Sequence, residues 1–403
     1  MVLLSPNDIV AALSMLADVI GEGLVAISLG WAARPTGIGF IIGFVMLLGF
    51  RSVAPVSFEV ESLTIVSRIA KKQWHIMLYA VMLAGIIGAI LGAMGAYSII
   101  VEFIGPAIQF GMMTGVGIIL SIVAIDLIKE NRLIGIISAG SAFMIYFATL
   151  SDPSALIYAL AGSVIISVIV GRFRKFEPIL PDASREKIRL ILPWRQLGLL
   201  FRGYQTHEEE IPGSGGQKNT VIKRIGRADK LLIVRAALSL LALRIGTSIA
   251  YPSIDSELAG ISTTTGSGTS IFDATNIMAG ISGFVSAFFG GAPLEPIITG
   301  TAAAPNPVIS AAIMMAIAAV ILLLGFIGRA ARYIPIQSVT GFLLVLGALI
   351  IFPSNAPEAM NADPIVGGVT AVVTGATMDP FIGMIAGLLV KGLMMLFPAP
   401  VVT

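Results

Sequence analysis

Long apolar runs separated by short polar loops make up most of the chain. A helix needs about 20 apolar residues to cross the hydrocarbon of a bilayer, and windows of that length predict seven spans, a polar stretch and seven more spans. The predicted spans lie near 8–31, 35–50, 53–70, 74–98, 103–125, 133–149 and 153–171, and then near 230–251, 270–290, 293–304, 307–328, 334–352, 364–378 and 380–398. Several are short and interrupted by Gly or Pro, as are the discontinuous helices at the binding sites of secondary transporters.

The polar stretch at 172–229 divides the chain into a first repeat at 1–171 and a second at 230–403. It contains the basic segments RFRKF, SREKIR and VIKRIGR around a centre, EEEIPGSGGQKN, that is typical of a flexible linker. The composition predicts a basic linker whose charges anchor the neighbouring spans. A regulatory or lipid-binding segment is the alternative, because RFRKF beside a helix can meet anionic headgroups.

Short motifs recur in the same order in both halves, as expected of an internal repeat. The recurring pairs are LSxLAxxIG from Leu13 and from Leu238, GFV followed by Ala-Pro from Gly43 and from Gly283, Pro106 with Gln109 and Pro335 with Gln337, and Asp-Pro at 152–153 and at 379–380. Each half has an odd number of predicted spans, so the second half enters the membrane from the opposite side. The sequence therefore predicts a seven-plus-seven inverted repeat, an arrangement found in many secondary transporters.

Basic residues are concentrated in the loops on one side of these spans. Those on the same side as the linker are Arg34, Arg68, Lys71, Lys72, Lys129, Arg132, Arg329 and Arg332, whereas the other side has little beyond Arg51. By the positive-inside rule the linker is cytoplasmic and both termini lie outside. We expect an integral protein of a bacterial inner (plasma) membrane, with the lipid bilayer as its surroundings.

Composition excludes several other classes of protein. Only 12% of the 403 residues are charged, against roughly 25% in soluble domains. There is no cysteine, and the formal net charge of +2 gives no reason to expect a nucleic-acid partner. The first residues, MVLLSPND, do not resemble a signal peptide. We find no hydrolase motif and no metal-binding pattern around His75 or His207, so we expect neither an enzyme nor a bound metal or organic cofactor.

Charged side chains within the predicted spans are candidate functional residues, because each costs about 2.5–3.5 kcal/mol to insert. They are Asp18, Glu22, Glu59, Glu61, Arg244, Asp273 and Glu295. Asp18 and Glu22 are four residues apart and so share one helical face.

The seven-plus-seven repeat, with short segments that begin at Pro55 and Pro293, resembles the nucleobase–cation symporter-2 family. This is the family of nucleobase–ascorbate transporters, which includes uracil and xanthine permeases. The resemblance implies an all-α polytopic membrane protein with 14 transmembrane segments, core and gate domains, and short discontinuous helices at the substrate site. The sulfate-permease and bicarbonate-exchanger families share that fold.

In this resemblance the two halves of the chain stand in swapped order relative to the family, with the family's C-terminal half first. LADVIGEGL at 16–24 resembles the family's eighth helix, and the segment from Gly43 through Pro55 to Glu61-Ser62 resembles its ninth and tenth helices. The segment 238–252 resembles the family's first helix. An inverted repeat tolerates this order, because the linker then joins two ends that are cytoplasmic in the family.

The resemblance assigns roles to residues of the first half. Asp18 matches the acidic residue that contacts substrate or carries the coupling proton, and Glu22 falls where uracil permease has a histidine. A helix-end charge that faces water is the alternative for Glu22. Glu61 matches the glutamate that accepts hydrogen bonds from the base ring, and Ser62 follows it. Glu59 is either a further substrate contact or a polar lining residue.

Residues of the second half complete the expected site. Glu295 lies in the Pro-Leu-Glu-Pro motif that starts the second short helix, where it either contacts substrate or caps the helix. Thr299 supplies the small polar side chain usual in the family after this point. Arg244, beside Thr247, departs from the family. It either forms a buried ion pair with Asp18 or Glu61, or binds an anionic substrate.

These observations together predict a secondary-active transporter. The resemblance implies symport of a uracil- or xanthine-type nucleobase with H⁺. Na⁺ is the other coupling ion considered. Asp18, Glu61 and Glu22 are the candidate proton carriers. The core is expected at 8–98 plus 230–328 and the gate at 103–171 plus 334–398. The resemblance implies elevator-like movement of core against gate in a homodimer. The alternative is a carrier of small organic or inorganic anions of the sulfate-permease type, which Arg244 would favour.

Overall fold

The computed structural model describes residues 5–151, 155–173, 178–179, 182–190, 204–210, 218–224 and 226–397. Helices make up most of this part of the chain. Seven of the helical segments are long and apolar enough to cross a membrane, and five shorter apolar helices accompany them. Two further segments lie at the predicted third and tenth spans, and each enters the protein interior as extended chain.

The first half contains eight helices in its described residues. They are α1 (Pro6–Ser28), α2 (Ala33–Phe50), α3 (Val60–Ile69), α4 (Trp74–Ala93), α5 (Ala96–Ile104), α6 (Pro106–Glu130), α7 (Arg132–Ala148) and α8 (Ala155–Gly171), with the short strand β1 (Val56–Ser57) before α3. The strands β2 (Tyr204–Glu210) and β3 (Lys218–Arg224) belong to the linker.

The second half begins with α9 (Arg227–Leu258) and α10 (Ile271–Phe288), and then strand β4 (Glu295–Pro296) and a 3₁₀ turn (Gly300–Ala303). The helices α11 (Pro307–Leu323) and α12 (Phe326–Ala331) follow. A continuous helical segment, Ile336–Ala362, combines a 3₁₀ turn, α13 (Thr340–Leu344), a π-helical stretch (Val345–Ile351) and α14 (Phe352–Ala362). The last two helices are α15 (Pro364–Thr377) and α16 (Pro380–Leu396).

Asp-Pro pairs determine where the last two helices begin. Asp363 accepts hydrogen bonds from the N–H groups of Ile365 and Val366, and Asp379 accepts them from Phe381 and Ile382. The proline that follows each aspartate occupies the first helical position, where its missing N–H costs nothing. The matching Asp-Pro at 152–153 lies outside the described residues.

The expectation of two short Pro-started helices is wrong in detail. Chain from Pro55 first forms β1, and α3 begins only at Val60. From Pro293 the chain forms β4 and then only the four-residue 3₁₀ turn. The two strands pair antiparallel, so that Val56 opposes Pro296 and Ser57 opposes Glu295. Extended backbone is tolerated at membrane depth because both strands are buried in protein and bond to each other.

Three other span boundaries also differ from the prediction. The span expected at 74–98 ends at Ala93, and α5 follows it as a separate helix. The helix α9 continues past 251 to Leu258 with Pro252 inside it, and the segment expected at 334–352 continues to Ala362. A membrane helix can contain proline because neighbouring helices and local adjustments satisfy the freed carbonyl.

The helices pack in two groups. The core group consists of α1–α4 and α9–α11, and the gate group consists of α6–α8, Ile336–Ala362, α15 and α16. Within the core group α4 and α10 pack most closely. A Cβ placed on Gly85 would lie 2.6 Å from the carbonyl oxygen of Gly280, and a Cβ placed on Gly280 would lie 2.6 Å from the carbonyl oxygen of Gly85. Small residues allow such close helix contacts in membranes.

The linker contains more structure than its composition predicts. The strands β2 and β3 form an antiparallel hairpin in which Tyr204 opposes Arg224 and Glu210 opposes Lys218. The Gly-rich residues 211–217, expected to be flexible, lie outside the described part of the chain. A second linker segment, at 178–179 and 182–190, contacts the helices directly.

Candidate functional site

A cavity of about 490 Å³ lies between the core group and the gate group. Residues of α1, α3 and α9 line one side of it, and residues of α6, α8 and the segment Ile336–Ala362 line the other. Because α8 ends and α9 begins next to the linker, their opposite ends lie away from it. Leu156 near the start of α8 and Ile254 near the end of α9 both line the cavity. The cavity therefore extends away from the linker face, which is the side of the helices next to the linker.

Four acidic residues line this cavity, and all of them come from the first half of the chain. They are Asp18, Glu22, Glu59 and Glu61. Asp18 and Glu22 lie one turn apart on α1. Glu59 immediately precedes α3 as its N-cap residue, and Glu61 lies in the first turn of α3. The sequence singled out all four, and the fold brings them to one space.

The carboxylates of this cluster are incompletely satisfied by hydrogen bonds. Ser62 donates a short hydrogen bond from its hydroxyl to Oε2 of Glu59. Glu59 Oε1 and Glu22 Oε2 are buried and accept no hydrogen bond from any described residue. Buried polar atoms are normally paired, so these two oxygens are available to a bound solute, a water or a proton.

Arg244 does not pair with Asp18 or Glu61, which corrects that part of the prediction. It pairs instead with Glu295, in a two-pronged contact with Nε–Oε2 at 2.7 Å and Nη2–Oε1 at 2.5 Å. Both side chains are only 1% exposed. The helix that Glu295 was expected to cap is strand β4, so its carboxylate serves the ion pair instead. Arg244 is also absent from the described lining of the cavity.

The remaining predicted substrate-binding residues are buried but do not line the cavity. Thr247 is fully buried, and its hydroxyl donates to the carbonyl of Leu243 at 3.5 Å. The backbone N–H of Thr299 donates to Oδ1 of Asp255 at 2.9 Å, and its hydroxyl bonds to that of Thr301. Thr247, Thr299, Ser62 and Glu295 are not among the described residues that line the cavity.

Sequence reasoning missed most of the gate side of the cavity. Phe110 and Met113 on α6, and Ser354 and Asn355 on α14, line it together with Tyr251 of α9. The signal available for Tyr251 was Pro252 beside it. The irregular helix before Ser354 is visible only in the structure, where π-helical turns frequently occur at functional sites. Gln109, which the sequence analysis named only as part of a recurring motif with Pro106, also lines the cavity.

The charge of the lining is one-sided. Among the described residues that line the cavity, four are acidic and none is Lys, Arg or His. No group of three or more His, Asp or Glu side chains in the described part of the chain is arranged to hold a metal ion. The nearby positive charge of Arg244 is already engaged by Glu295.

Comparison with known proteins identifies the fold. No family model matches the sequence, and no curated protein sequence matches it. The transmembrane domain of the cyanobacterial bicarbonate transporter BicA is similar, with a TM-score of 0.60 at 15% identity over 95% of this chain and 97% of that one. The chain has the fold of that transmembrane domain. A structure of SLC26A9 matches with a TM-score of 0.63 at 12% identity over 98% of this chain and 66% of that one.

A structure of the murine Slc26a9 anion transporter in its inward-facing state matches similarly, with a TM-score of 0.61 at 13% identity over 97% of this chain and 68% of that one. These likenesses confirm the predicted all-α polytopic membrane fold. They support the wider group of transporter folds named above, and not the nucleobase family in particular. The swapped order of the halves stays a prediction.

Proposed function

We propose that the chain is a secondary-active transporter that carries a small solute together with H⁺ or Na⁺. The observation that carries this proposal is the cavity between the two helix groups, with its four carboxylates and no basic lining residue in the described chain. Movement of the core group against the gate group would expose the cavity to each side in turn. A homodimer with a cytoplasmic linker is part of the same proposal.

The first candidate cargo is a small anion. The similar structures include a bicarbonate transporter and an anion transporter, and this favours the anion over the nucleobase. Arg244 no longer contributes to that argument, because Glu295 neutralises it. An anion 4 Å from one ionised carboxylate would be repelled by about 4 kcal/mol at an effective dielectric constant of about 20. An anion can therefore enter this cavity only when cations or protons neutralise the carboxylates, which makes coupling a requirement.

The second candidate cargo is a neutral nucleobase, which the chemistry of the lining favours. A carboxylate accepts two parallel N–H bonds, so Glu61 suits the N–H edge of a pyrimidine or purine. Phe110 and Tyr251 supply aromatic surface in the same cavity. Asp18 and Glu22 would then carry the coupling protons. This candidate needs no neutralisation before the solute enters.

Uptake into proteoliposomes distinguishes the two candidates. One panel contains bicarbonate, sulfate and chloride, and the other contains uracil, xanthine, hypoxanthine, adenine, urate and ascorbate. Each solute is measured with an inward H⁺ gradient, with an inward Na⁺ gradient and with neither. Gradient-driven accumulation of one solute identifies the cargo and its coupling ion. Correctly folded protein that moves none of them under any gradient would contradict the proposal.

Glu61→Gln tests the acidic cavity directly. The substitution keeps the shape of the side chain and removes its charge, so we expect at least about a tenfold loss of coupled uptake, the effect of one charged hydrogen bond. Glu358→Gln is the matched control, because Glu358 is exposed on α14. Unchanged uptake in Glu61→Gln would locate the site elsewhere.

A further inference from the structure

A segment of the linker lies across both helix groups on the linker face. It consists of residues 178–179 and 182–189, which we call the strap. It follows α8, the last helix of the first half, and its contacts reach helices from both halves of the chain.

One end of the strap is attached to the residues that lead directly into the gate group. The backbone N–H of Ile179 donates to the carbonyl of Ile334 at 2.7 Å, and Pro178 forms a bridge with Pro335. Ile179 is 1% exposed, so this attachment is buried. The contact immediately precedes the segment Ile336–Ala362, which packs against α6, α7 and α8.

The other end of the strap is attached to the core group at the start of α2. Both carboxylate oxygens of Glu186 accept hydrogen bonds at 2.8 Å, from the N–H groups of Ala33 and Arg34. The residue at the N-cap position, Ala32, supplies no side-chain cap. Glu186 therefore provides the capping carboxylate that α2 lacks, and its charge is favourable at a helix N-terminus.

Two arginines add contacts next to Glu186. Arg185 donates from Nη1 to the carbonyl of Gly30 at 2.8 Å. The guanidinium groups of Arg185 and Arg189 each lie 5.6 Å from the ring centre of Trp74, the first residue of α4. Trp74 is 6% exposed and belongs to the core group. Cation–π contacts of this kind add to the attachment.

Other links between the two groups occur on the same face. Asp379, before α16, accepts from Nε of Arg235 at 2.5 Å and from the hydroxyl of Ser239, both on α9. Arg68 of α3 lies 3.4 Å from the carboxylate of Asp126 on α6. The cavity extends away from this face, so the strap spans the closed side of the boundary.

We propose that the strap is a built-in restraint that holds the core group against the gate group on the linker face. This proposal rests on the proposed function in one respect, namely that the two groups move during transport. Movement that opens this face must detach the strap from α2 or from Ile334. The strap therefore limits how often the linker face opens, together with the other links on that face.

Cysteine labelling measures that opening without measuring transport. The chain contains no cysteine, so Val123→Cys introduces a single thiol. Val123 is 6% exposed and lies one turn before Asp126, on the linker half of α6. In nanodiscs, we expect a soluble maleimide to label this thiol at least about tenfold faster when Glu186→Ala is added, because a charged hydrogen bond is lost. Lys187→Ala, an exposed neighbour in the same segment, is the matched control and should leave the labelling rate unchanged.

Ile179→Pro tests the other end, because it removes the N–H that bonds to Ile334. Both substitutions weaken the same connection between the two groups, so the combined variant should label no faster than the faster single variant. Folding of each variant is checked by its melting temperature. The proposal would be overturned if Glu186→Ala left the labelling rate unchanged. It would also be overturned if the increase in labelling rate in the combined variant equalled the product of the increases in the two single variants. Uptake is measured on the same protein, so failure to transport would refute the proposed function while the labelling result is judged separately.

Discussion

The buried pair of Arg244 and Glu295 is the ion pair whose loss should cost most among those in the described chain. Arg244→Met keeps the volume of the side chain but leaves the carboxylate of Glu295 buried without its partner. Both side chains are 1% exposed, and a Cβ on Gly88 would lie 2.4 Å from Nη1 of Arg244, so Gly88 packs directly against the guanidinium group. Removing one member of such a pair costs about 3–5 kcal/mol.

Replacing both members should restore most of the loss. Two apolar side chains of similar volume avoid the desolvation of two charges, and such replacements are often neutral or stabilising. We therefore expect Arg244→Met with Glu295→Leu to melt at a higher apparent temperature than either single variant, because the effects of substitutions at residues in contact do not add. Lys129→Met is the control, because its partner Asp126 is 45% exposed. That substitution should change stability by less than about 1 kcal/mol.

The assay is thermal unfolding of purified protein in detergent, followed by tryptophan fluorescence at one heating rate. Membrane proteins of this size often unfold irreversibly, so apparent melting temperatures are compared only within this one set of variants. If the effects of the two substitutions simply add, the two side chains do not depend on each other. That result would refute the assignment of Glu295 as the partner of Arg244.

Two further predictions concern packing and the linker face. Gly280→Leu should cost about 1–3 kcal/mol, because it overpacks the contact of α4 with α10, whereas Gly49→Leu meets no atom within 4 Å of its Cβ and should be tolerated. Asp379→Ala should lower the melting temperature more than Asp363→Ala does. Both remove a helix cap worth about 0.5–2 kcal/mol, but only the first also removes the ion pair with Arg235. Equal melting temperatures for the last two variants would mean that this ion pair contributes nothing.

Local sequence was enough to predict the helices and the acidic residues of the site. Apolar runs long enough for the bilayer require helices, because a helix satisfies every backbone group within itself. Charges inside those runs are costly, so Asp18, Glu22, Glu59 and Glu61 stood out before any fold was known. These inferences depend only on neighbouring residues and on the surrounding lipid.

Inferences that depend on distant parts of the chain were less accurate. Short segments with prolines fit either a half-helix or extended chain, and the pairing of β1 with β4 decided for the strand. The partner of Arg244 could be any acidic residue of the core, and the approach of β4 to α9 selected Glu295. Capping of α2 by Glu186 joins residues far apart in the sequence.

The sequence by itself determined the membrane-spanning helices, their seven-plus-seven order and the unusual number of buried acids, because hydrophobic length and charge act locally. Only the tertiary structure decided that the four carboxylates share one cavity, that Glu295 takes the charge of Arg244, and that the linker is attached to both helix groups. Such contacts arise when packing brings distant segments together, and composition and periodicity do not indicate which segments will come into contact.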